Sequence, residues 1–252
     1  GPMGFNDLDR EGMLIEGFDE IATFEEAYNY DYYKDLMQDC GYEKETDWVE
    51  YNIKVPKEIE PRVNKIADLV EEKYHLRLAE KKNKHAFIKK YAPGIFKLLD
   101  EAYGPLYGVV PYTDKVRKQV IDQFNLFIST DFISLVVDEN DDVICFGFAI
   151  PSLSEVINKC EGRLTPKSIF KVLKAVKHPK YLDLALIAVK PGWHSKGVPA
   201  VIMREMCANF IKHGIISCET NLNLESNVQI QQLWKNFEHR QHKRRRSWIK
   251  HI

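Results

Sequence analysis

Long apolar runs are missing from this 252-residue sequence. No run approaches the roughly 20 residues that a helix needs to cross a bilayer, so no membrane span is predicted. The start of the chain is acidic and interrupted by glycine, and it has no signal-peptide pattern. An excess of charge of one sign is also missing, because the formal net charge is −1. Overall charge therefore gives no reason to expect a nucleic acid or a membrane as partner.

Cysteine is scarce, and the five present follow no functional pattern: Cys40, Cys145, Cys160, Cys207 and Cys218. Their spacing matches no metal-binding motif, and an odd number does not suit a disulfide framework. The scattered histidines complete no ligand set either. We therefore expect reduced thiols, no metal and a cytoplasmic protein. Hydrophobic residues make up 44% of the chain, which is enough for a packed core.

Apolar periodicity predicts an α/β chain. The first part is expected to hold a helix over 31–39, a strand over 47–54, and a helix with an apolar stripe at Ile59, Val63, Ile66 and Val70. Downstream, the expected elements are a strand over 85–91, helices over 92–104 and 113–128, a hairpin over 131–151, short helices over 152–160 and 165–176, a central strand over 181–191, a long helix over 196–212, a strand over 215–222, a helix over 227–239 and a final strand over 244–252.

One stretch, LIAVKPGWHSKGVPAVIMREM at 186–206, has the pattern of a strand, a polar turn and a helix. Unpaired N–H groups and the positive dipole end make a helix start a site for anions. Gly197 would let the backbone approach an anion closely, and Lys196 would add a mobile positive charge. We therefore expect the N–H groups from Ser195 to Val198 to point outward as a phosphate site.

The turn resembles motif A of the GNAT superfamily, the acyl-CoA-dependent N-acyltransferases. In that motif a strand is followed by Gln/Arg-x-x-Gly-x-Gly/Ala, and the turn grips the CoA pyrophosphate. The corresponding residues in this chain are His194, Ser195, Lys196, Gly197, Val198 and Pro199. The later order of strand, helix opening at Asn227 and last strand also agrees. The resemblance implies an α/β GNAT-like fold over 84–252, with a mixed central sheet in a three-layer α-β-α arrangement.

Residues 28–55 resemble the closing helix and strand of a second such unit. More narrowly, the chain is similar to a family of uncharacterised bacterial tandem GNAT-like proteins. The implied division is the end of a first unit over 1–55, a linker helix and connector over 56–83, and a GNAT-like domain over 84–252.

The resemblance implies transfer of an acetyl or longer acyl group from acyl-CoA to an unidentified amine. The cofactor-binding residues that it implies are Ala188, Val189, His194, Ser195, Lys196, Gly197, Val198, Pro199, Asn227 and Trp234. Two of these depart from the pattern. Pro199 has no N–H to donate, and Trp234 stands where many GNAT enzymes have a tyrosine acid. The alternative is a non-catalytic GNAT-like module that binds CoA, a protein or an anionic partner.

The remaining functional signals are weaker. No base stands out, and Glu219 and Asp183 are the two carboxylate candidates. The basic run near the end of the chain contains Arg240, Lys243, Arg244, Arg245 and Arg246. This run is explained either by an edge strand protected by charge or by an anionic ligand or partner, and a nucleic acid is the least favoured reading. Oligomerisation stays open.

Overall fold

The structure is a computed structural model, and it describes residues 1–4, 9–23, 26–124, 129–163 and 165–251. The end of the helix predicted over 113–128 and the last position of the strand predicted over 244–252 lie outside these ranges. The strands are β1 Met13–Glu16, β2 Glu43–Lys54, β3 Arg77–Leu78, β4 Ile133–Val137, β5 Val143–Pro151, β6 Tyr181–Val189, β7 Ser217–Thr220, β8 Asn223–Leu224 and β9 His239–Ile249. The helices are α1 Tyr33–Asp39, α2 Pro61–Tyr74, α3 Lys84–Tyr103, α4 Asp114–Phe124, α5 Ser154–Lys159, α6 Pro166–Lys177, α7 Val198–Lys212 and α8 Val228–Trp234.

The chain divides into two compact units, and the first contains residues 1–55, 151–183 and 215–252. Its central pair is β2 with β9, which run antiparallel. β9 also pairs with β1 on its other side, while β2 also pairs with β7 and β8. Trp48 and Trp248 are buried in this unit. The middle of β2 is buried residue after residue rather than alternately, so both faces of this strand are covered.

The second unit contains residues 56–150 and 184–214. Its strands follow the order β6-β5-β4-β3, and β4 and β5 form an antiparallel hairpin with Ile133 opposite Phe148. The core of this unit is a cluster of α3 side chains against strand side chains, which includes Phe87, Leu98 and Leu135. α2 packs against α7, and this contact shapes the start of α7.

The strand predicted over 85–91 is wrong, because these residues form the first half of α3. The side chain of Asn83 caps this helix by accepting a hydrogen bond from the N–H of Ala86 at 2.9 Å. Phe87 and Tyr91, four residues apart, lie on one buried face with Leu98. The helix continues through Pro93, past the predicted boundary between residues 91 and 92.

Other predicted elements are present with shifted ends. β2 begins at Glu43 rather than at 47, and β9 begins at His239 rather than at 244. The long β2 explains the second shift, because Ile53 near its end offers a pairing partner to His239. No helix in the described part of the chain is long and apolar enough to cross a membrane.

Candidate functional site

The turn that resembles motif A lies between β6 and α7, in the second unit. A 3₁₀ turn over His194–Lys196 follows β6, and Gly197 takes a left-handed conformation with φ of 83° before α7 begins. A Cβ atom on Gly197 would lie 3.0 Å from a methyl group of Val70 and 3.5 Å from one of Ile66, both on α2. The backbone conformation and the packing of α2 therefore both favour glycine here.

Two of the four amide groups expected to point outward are used inside the turn. The N–H groups of Lys196 and Gly197 donate to carbonyls three residues earlier, at 3.2 and 3.4 Å. The expectation is wrong for these two residues, because a 3₁₀ turn satisfies its own donors. The N–H groups of Ser195 and Val198 donate to no backbone carbonyl of the described residues. Pro199 lies in the first turn of α7, where its lack of a donor is tolerated.

The ammonium group of Lys196 lies over two aromatic rings. Its Nζ atom is 3.8 Å from the ring centroid of Trp193 and 5.2 Å from that of Tyr74. The two rings meet edge to face, 5.5 Å apart. Lys196 has no carboxylate partner within the described ranges. The turn therefore presents a positive charge that aromatic faces hold in place but no acid neutralises.

α2 is fastened to α7 close to this turn. The guanidinium of Arg204 on α7 donates to Asp68 and to Glu71 on α2, each at 2.6 Å. Val70 is buried in the same interface. The predicted apolar stripe is thus correct from Val63 onward, whereas Ile59 precedes the helix. These contacts fix the position of Tyr74 at the end of α2 relative to the turn.

The other predicted cofactor-binding residues divide between the two units. Ala188 and Val189 are buried at the end of β6, in the same unit as the turn, while His194 and Ser195 are exposed. Asn227 and Trp234 lie in the first unit, where the side chain of each forms a hydrogen bond with a nearby residue.

Asn227 and Trp234 stabilise their own surroundings. The Oδ1 atom of Asn227 caps α8 by accepting a hydrogen bond from the N–H of Ile230 at 3.3 Å. The buried indole of Trp234 donates from Nε1 to Oδ1 of Asn223 at 2.8 Å. Asn227 therefore acts as a helix cap, and Trp234 is a buried side chain with its hydrogen bond satisfied.

Glu219 belongs to a cluster of charged groups on β2, β7 and β9, and the cluster surrounds a fully buried lysine. The Nζ atom of Lys243 contacts the carboxylates of Glu219 and of Glu50, the second at 2.8 Å. His242 Nε2 lies 3.3 Å from Glu219. Burial alone would raise the pKa of Glu219, but hydrogen bonding to His242 and the charge of Lys243 outweigh it and hold the pKa below its usual 4.5. The other candidate carboxylate, Asp183, is buried on β6.

The basic run near the end of the chain does not form an edge strand. β9 lies between β1 and β2, so the edge-strand interpretation is wrong. Arg245 is fully buried and donates to Glu50 at 2.8 Å. Arg246 donates from Nε to Asp47 at 2.8 Å, Arg244 donates to the same carboxylate at 3.1 Å, and Arg240 pairs with Glu20 at 2.6 Å. The run therefore pairs with the protein's own carboxylates, which leaves the alternative interpretation, an anionic ligand or partner, without support.

The sequence itself contains a signal for this pairing. β2 contains Asp47 and Glu50, and the register places them opposite Arg246 and Lys243. Acids on one strand and bases on another, at the same spacing, indicate cross-strand pairs. No group of three or more metal-ligating side chains occurs among the residues that the structure describes.

Comparisons with known proteins give the fold. No protein-family model matches the sequence. The structure is similar to a GCN5-related glucosamine N-acetyltransferase region of a fungal multi-domain GH3 beta-N-acetylglucosaminidase, with a TM-score of 0.52 and 8% identity over 86% of this chain and 22% of that one. It is also similar to a GCN5-related N-acetyltransferase from Sphaerobacter thermophilus, with a TM-score of 0.50 and 11% identity over 91% of this chain and 58% of that one. The chain therefore has the GNAT fold, and the predicted α/β class with a mixed sheet is confirmed. The partial second unit at the N-terminus stays a prediction.

A curated relative is similar along the whole chain. Protein YghO of Escherichia coli (strain K12) is 23% identical over 263 residues, which cover 100% of this chain and 65% of the relative. The chain thus spans about 65% of the length of this relative. The name of the relative states no activity, so function has to be argued from the site.

Proposed function

We propose that the chain binds acyl-CoA at the turn between β6 and α7 and transfers the acyl group to an amine. The GNAT fold supports this at the level of the reaction class. The observation that carries the proposal is Lys196, a cation at the start of a 15-residue helix with no carboxylate partner in the described residues. An anion with two phosphate groups suits such a site.

The turn would hold the pyrophosphate through a reduced set of donors. The N–H group of Ser195 and the ammonium of Lys196 would face it, and the exposed His194 would lie at its side. Val198 is fully buried, so its N–H would contribute through the positive end of the helix dipole. Pro199 removes one donor, which costs roughly 1 to 2 kcal/mol of binding when the acceptor is charged. We therefore expect CoA to bind more weakly than at a turn with all its donors, but still to bind.

Acyl transfer at this site needs few protein groups. The amine nitrogen attacks the thioester carbonyl carbon, the C–S bond breaks, the thiolate leaves, and the proton released by the amine passes to a base or to water. A thiol has a pKa of about 8.5, so the thiolate can leave without an acid. We propose that the N–H of Val189 polarises the carbonyl, as the resemblance implies. Trp234 cannot be the acid, since its indole N–H is a donor that does not ionise.

The identity of the base is proposed from the two buried carboxylates. Glu219 is already paired with Lys243, and its lowered pKa makes it a weaker base than a free glutamate. Asp183, which is buried on β6, is the other candidate. Both assignments belong to the proposal.

The alternative is a non-catalytic GNAT-like module that binds CoA or a partner. Two observations favour it: the structural engagement of Glu219 with Lys243, and the buried, hydrogen-bonded Trp234. Because the turn is the same in both readings, CoA binding alone does not separate them.

Calorimetric titration with CoA tests the binding site. Lys196→Ala should weaken binding about 10- to 100-fold, since a hydrogen bond to a charged group contributes about 1.5 to 3 kcal/mol. The matched control is Lys212→Ala at the other end of α7, which should leave the affinity unchanged. Equal affinity for the parent protein and Lys196→Ala would refute the proposed site.

Thiol release from acetyl-CoA and longer acyl-CoA, measured with a panel of amines, tests catalysis. Turnover by the unmodified protein that Lys196→Ala reduces would support the enzyme. CoA binding without thiol release across the whole panel would support the module.

A further inference from the structure

The segment around α6 has a charge pattern that the proposed function does not use. From residue 162 to residue 182 the sequence contains no aspartate or glutamate. The basic residues of this stretch are Arg163, Lys167, Lys171, Lys174, Lys177 and Lys180. A net positive block of this kind stands out in a chain whose formal net charge is −1.

α6 presents large apolar side chains to solvent. Ile169 is 47% exposed, Phe170 is 71% exposed and Leu173 is 58% exposed. These three residues are called the apolar strip below. The helix begins with a capping box, in which Thr165 and Ser168 exchange side-chain and backbone hydrogen bonds at 2.7 and 3.2 Å. The strip is therefore displayed by a helix with a well-fixed start.

The apolar strip is not the face by which α6 packs on its own unit. That face contains the buried Ser168, with Val172 and Val176 half-buried beside it. At 100° per residue, the strip lies on the flank next to this face. Lys167, Lys171 and Lys174 lie beyond the strip on the solvent side, and Lys177 lies between Leu173 and Phe170. None of these four lysines forms an ion pair within the described ranges of the chain.

A second copy of the chain is a poor occupant for this surface. A two-fold contact brings the same patch of both copies together. The lysines beside each strip would then face one another, and the segment offers no carboxylate to separate them. The surface calls for a partner that accepts apolar side chains and provides negative charge beside them.

We propose that α6 docks the protein on the surface of a bilayer that contains anionic lipid. An interfacial helix has this composition, with leucine and phenylalanine on one side and lysines on the other. The apolar strip would enter the boundary between headgroups and acyl chains. The lysine stems would lie along that boundary, with their ammonium groups among the lipid phosphates.

Flotation with vesicles tests this with the full chain. The protein should float with vesicles of phosphatidylglycerol and phosphatidylcholine, should float far less with phosphatidylcholine alone, and should be released by high salt. Each lysine near an anionic surface contributes about fivefold to binding. Lys171→Glu/Lys174→Glu should therefore weaken binding at least about 25-fold. The control is Lys115→Glu/Lys118→Glu on α4, which should bind like the parent.

The apolar strip has its own variant and control. Phe170→Ser/Leu173→Ser removes exposed side chains, so circular dichroism and melting temperature should stay unchanged while vesicle binding is lost. Leu69→Ser, at an exposed leucine of α2, should bind normally. Equal binding to neutral and anionic vesicles would overturn the proposal. Full vesicle binding by Phe170→Ser/Leu173→Ser would also overturn it, because the apolar strip would then have no part in binding. Failure of the parent protein to float with anionic vesicles would overturn it too, and would favour an acidic protein surface as the partner.

Discussion

At the scale of single residues, Gly197 joins two requirements that different parts of the chain impose. Its φ of 83° is set by the 3₁₀ turn, and its missing side chain leaves room for Val70 of α2. Lys196, next to it, is held by the ring of Trp193 at the start of the turn and by the ring of Tyr74 at the end of α2. A single position therefore links the candidate anion site to the packing of α2.

Gly197→Ala should destabilise the protein and weaken CoA binding together. A left-handed alanine costs roughly 1 to 2 kcal/mol, and the new Cβ would force Val70 to move, which adds about 1 kcal/mol. The control is Gly214→Ala, which has φ of 68° but nothing within 4 Å of the added atom. Urea unfolding should show the larger loss for Gly197→Ala. Equal losses in the two variants would mean that the contact with Val70 has no energetic weight.

Lys243 is the residue on which the buried charges of the first unit depend. Lys243→Met should lower the free energy of unfolding by about 3 to 5 kcal/mol, because Glu50 would keep a buried charge with one cation fewer. Arg240→Met is the comparison, since this arginine is mostly exposed and should cost no more than about 1 kcal/mol. Chemical unfolding of both variants measures the difference. Similar values for the two would show that the cluster tolerates the loss of its central cation.

At the scale of elements, α2 has one face that packs against α7 and one face that is exposed to solvent. One face meets α7 through Val70 and the ion pairs of Arg204, whereas Leu69, next along the chain, points to solvent. Substitution by aspartate at these two neighbouring positions therefore compares the energetic importance of the buried face with that of the exposed face.

Val70→Asp should cost about 3 kcal/mol or more, because it buries a carboxylate without a partner in an apolar interface. Leu69→Asp should change the stability by no more than about 0.5 kcal/mol. Thermal unfolding of both variants provides the measurement. If Val70→Asp melts like the parent protein, α2 does not depend on its contact with α7.

At the scale of the whole molecule, carboxylates paired with bases set the response to acid. Burial alone would raise the pKa of Asp47, but the hydrogen bonds from Arg246 and Arg244 hold it below its usual 3.8. The pKa of Glu20 is lowered chiefly by its hydrogen bond to Arg240, and that of Glu219 is also lowered. All three bind protons more weakly in the folded protein than in the unfolded chain.

The stability contributed by these groups should be complete above about pH 4.5 and should fall as the pH drops through their lower folded-state pKa values. The sign follows because the unfolded chain binds more protons in that range. Urea unfolding at a series of pH values tests this, with Asp47→Asn as the comparison, since its dependence on acid should be shallower. A free energy of unfolding that is flat between pH 5 and pH 3 would contradict the expectation.

The amino-acid sequence by itself determined most elements and the candidate turn. Local signals suffice there: the apolar stripe of α2, and the order of strand, Gly197, Pro199 and helix. The amphipathic charge pattern of α6 is equally local. The division into domains over 1–55, 56–83 and 84–252 stays a prediction.

Tertiary structure alone decided which of these local features meet. The sequence left the basic run of β9 open to an outside partner, and only the register against β2 showed that Asp47 and Glu50 neutralise it. The position of Tyr74 beside Lys196 depends on the packing of α2 against α7. Short-range periodicity encodes helices and strands, because apolar residues at a regular spacing fall on one face of the element. Pairing between distant segments depends instead on burial and charge summed over the whole chain, which no single stretch contains.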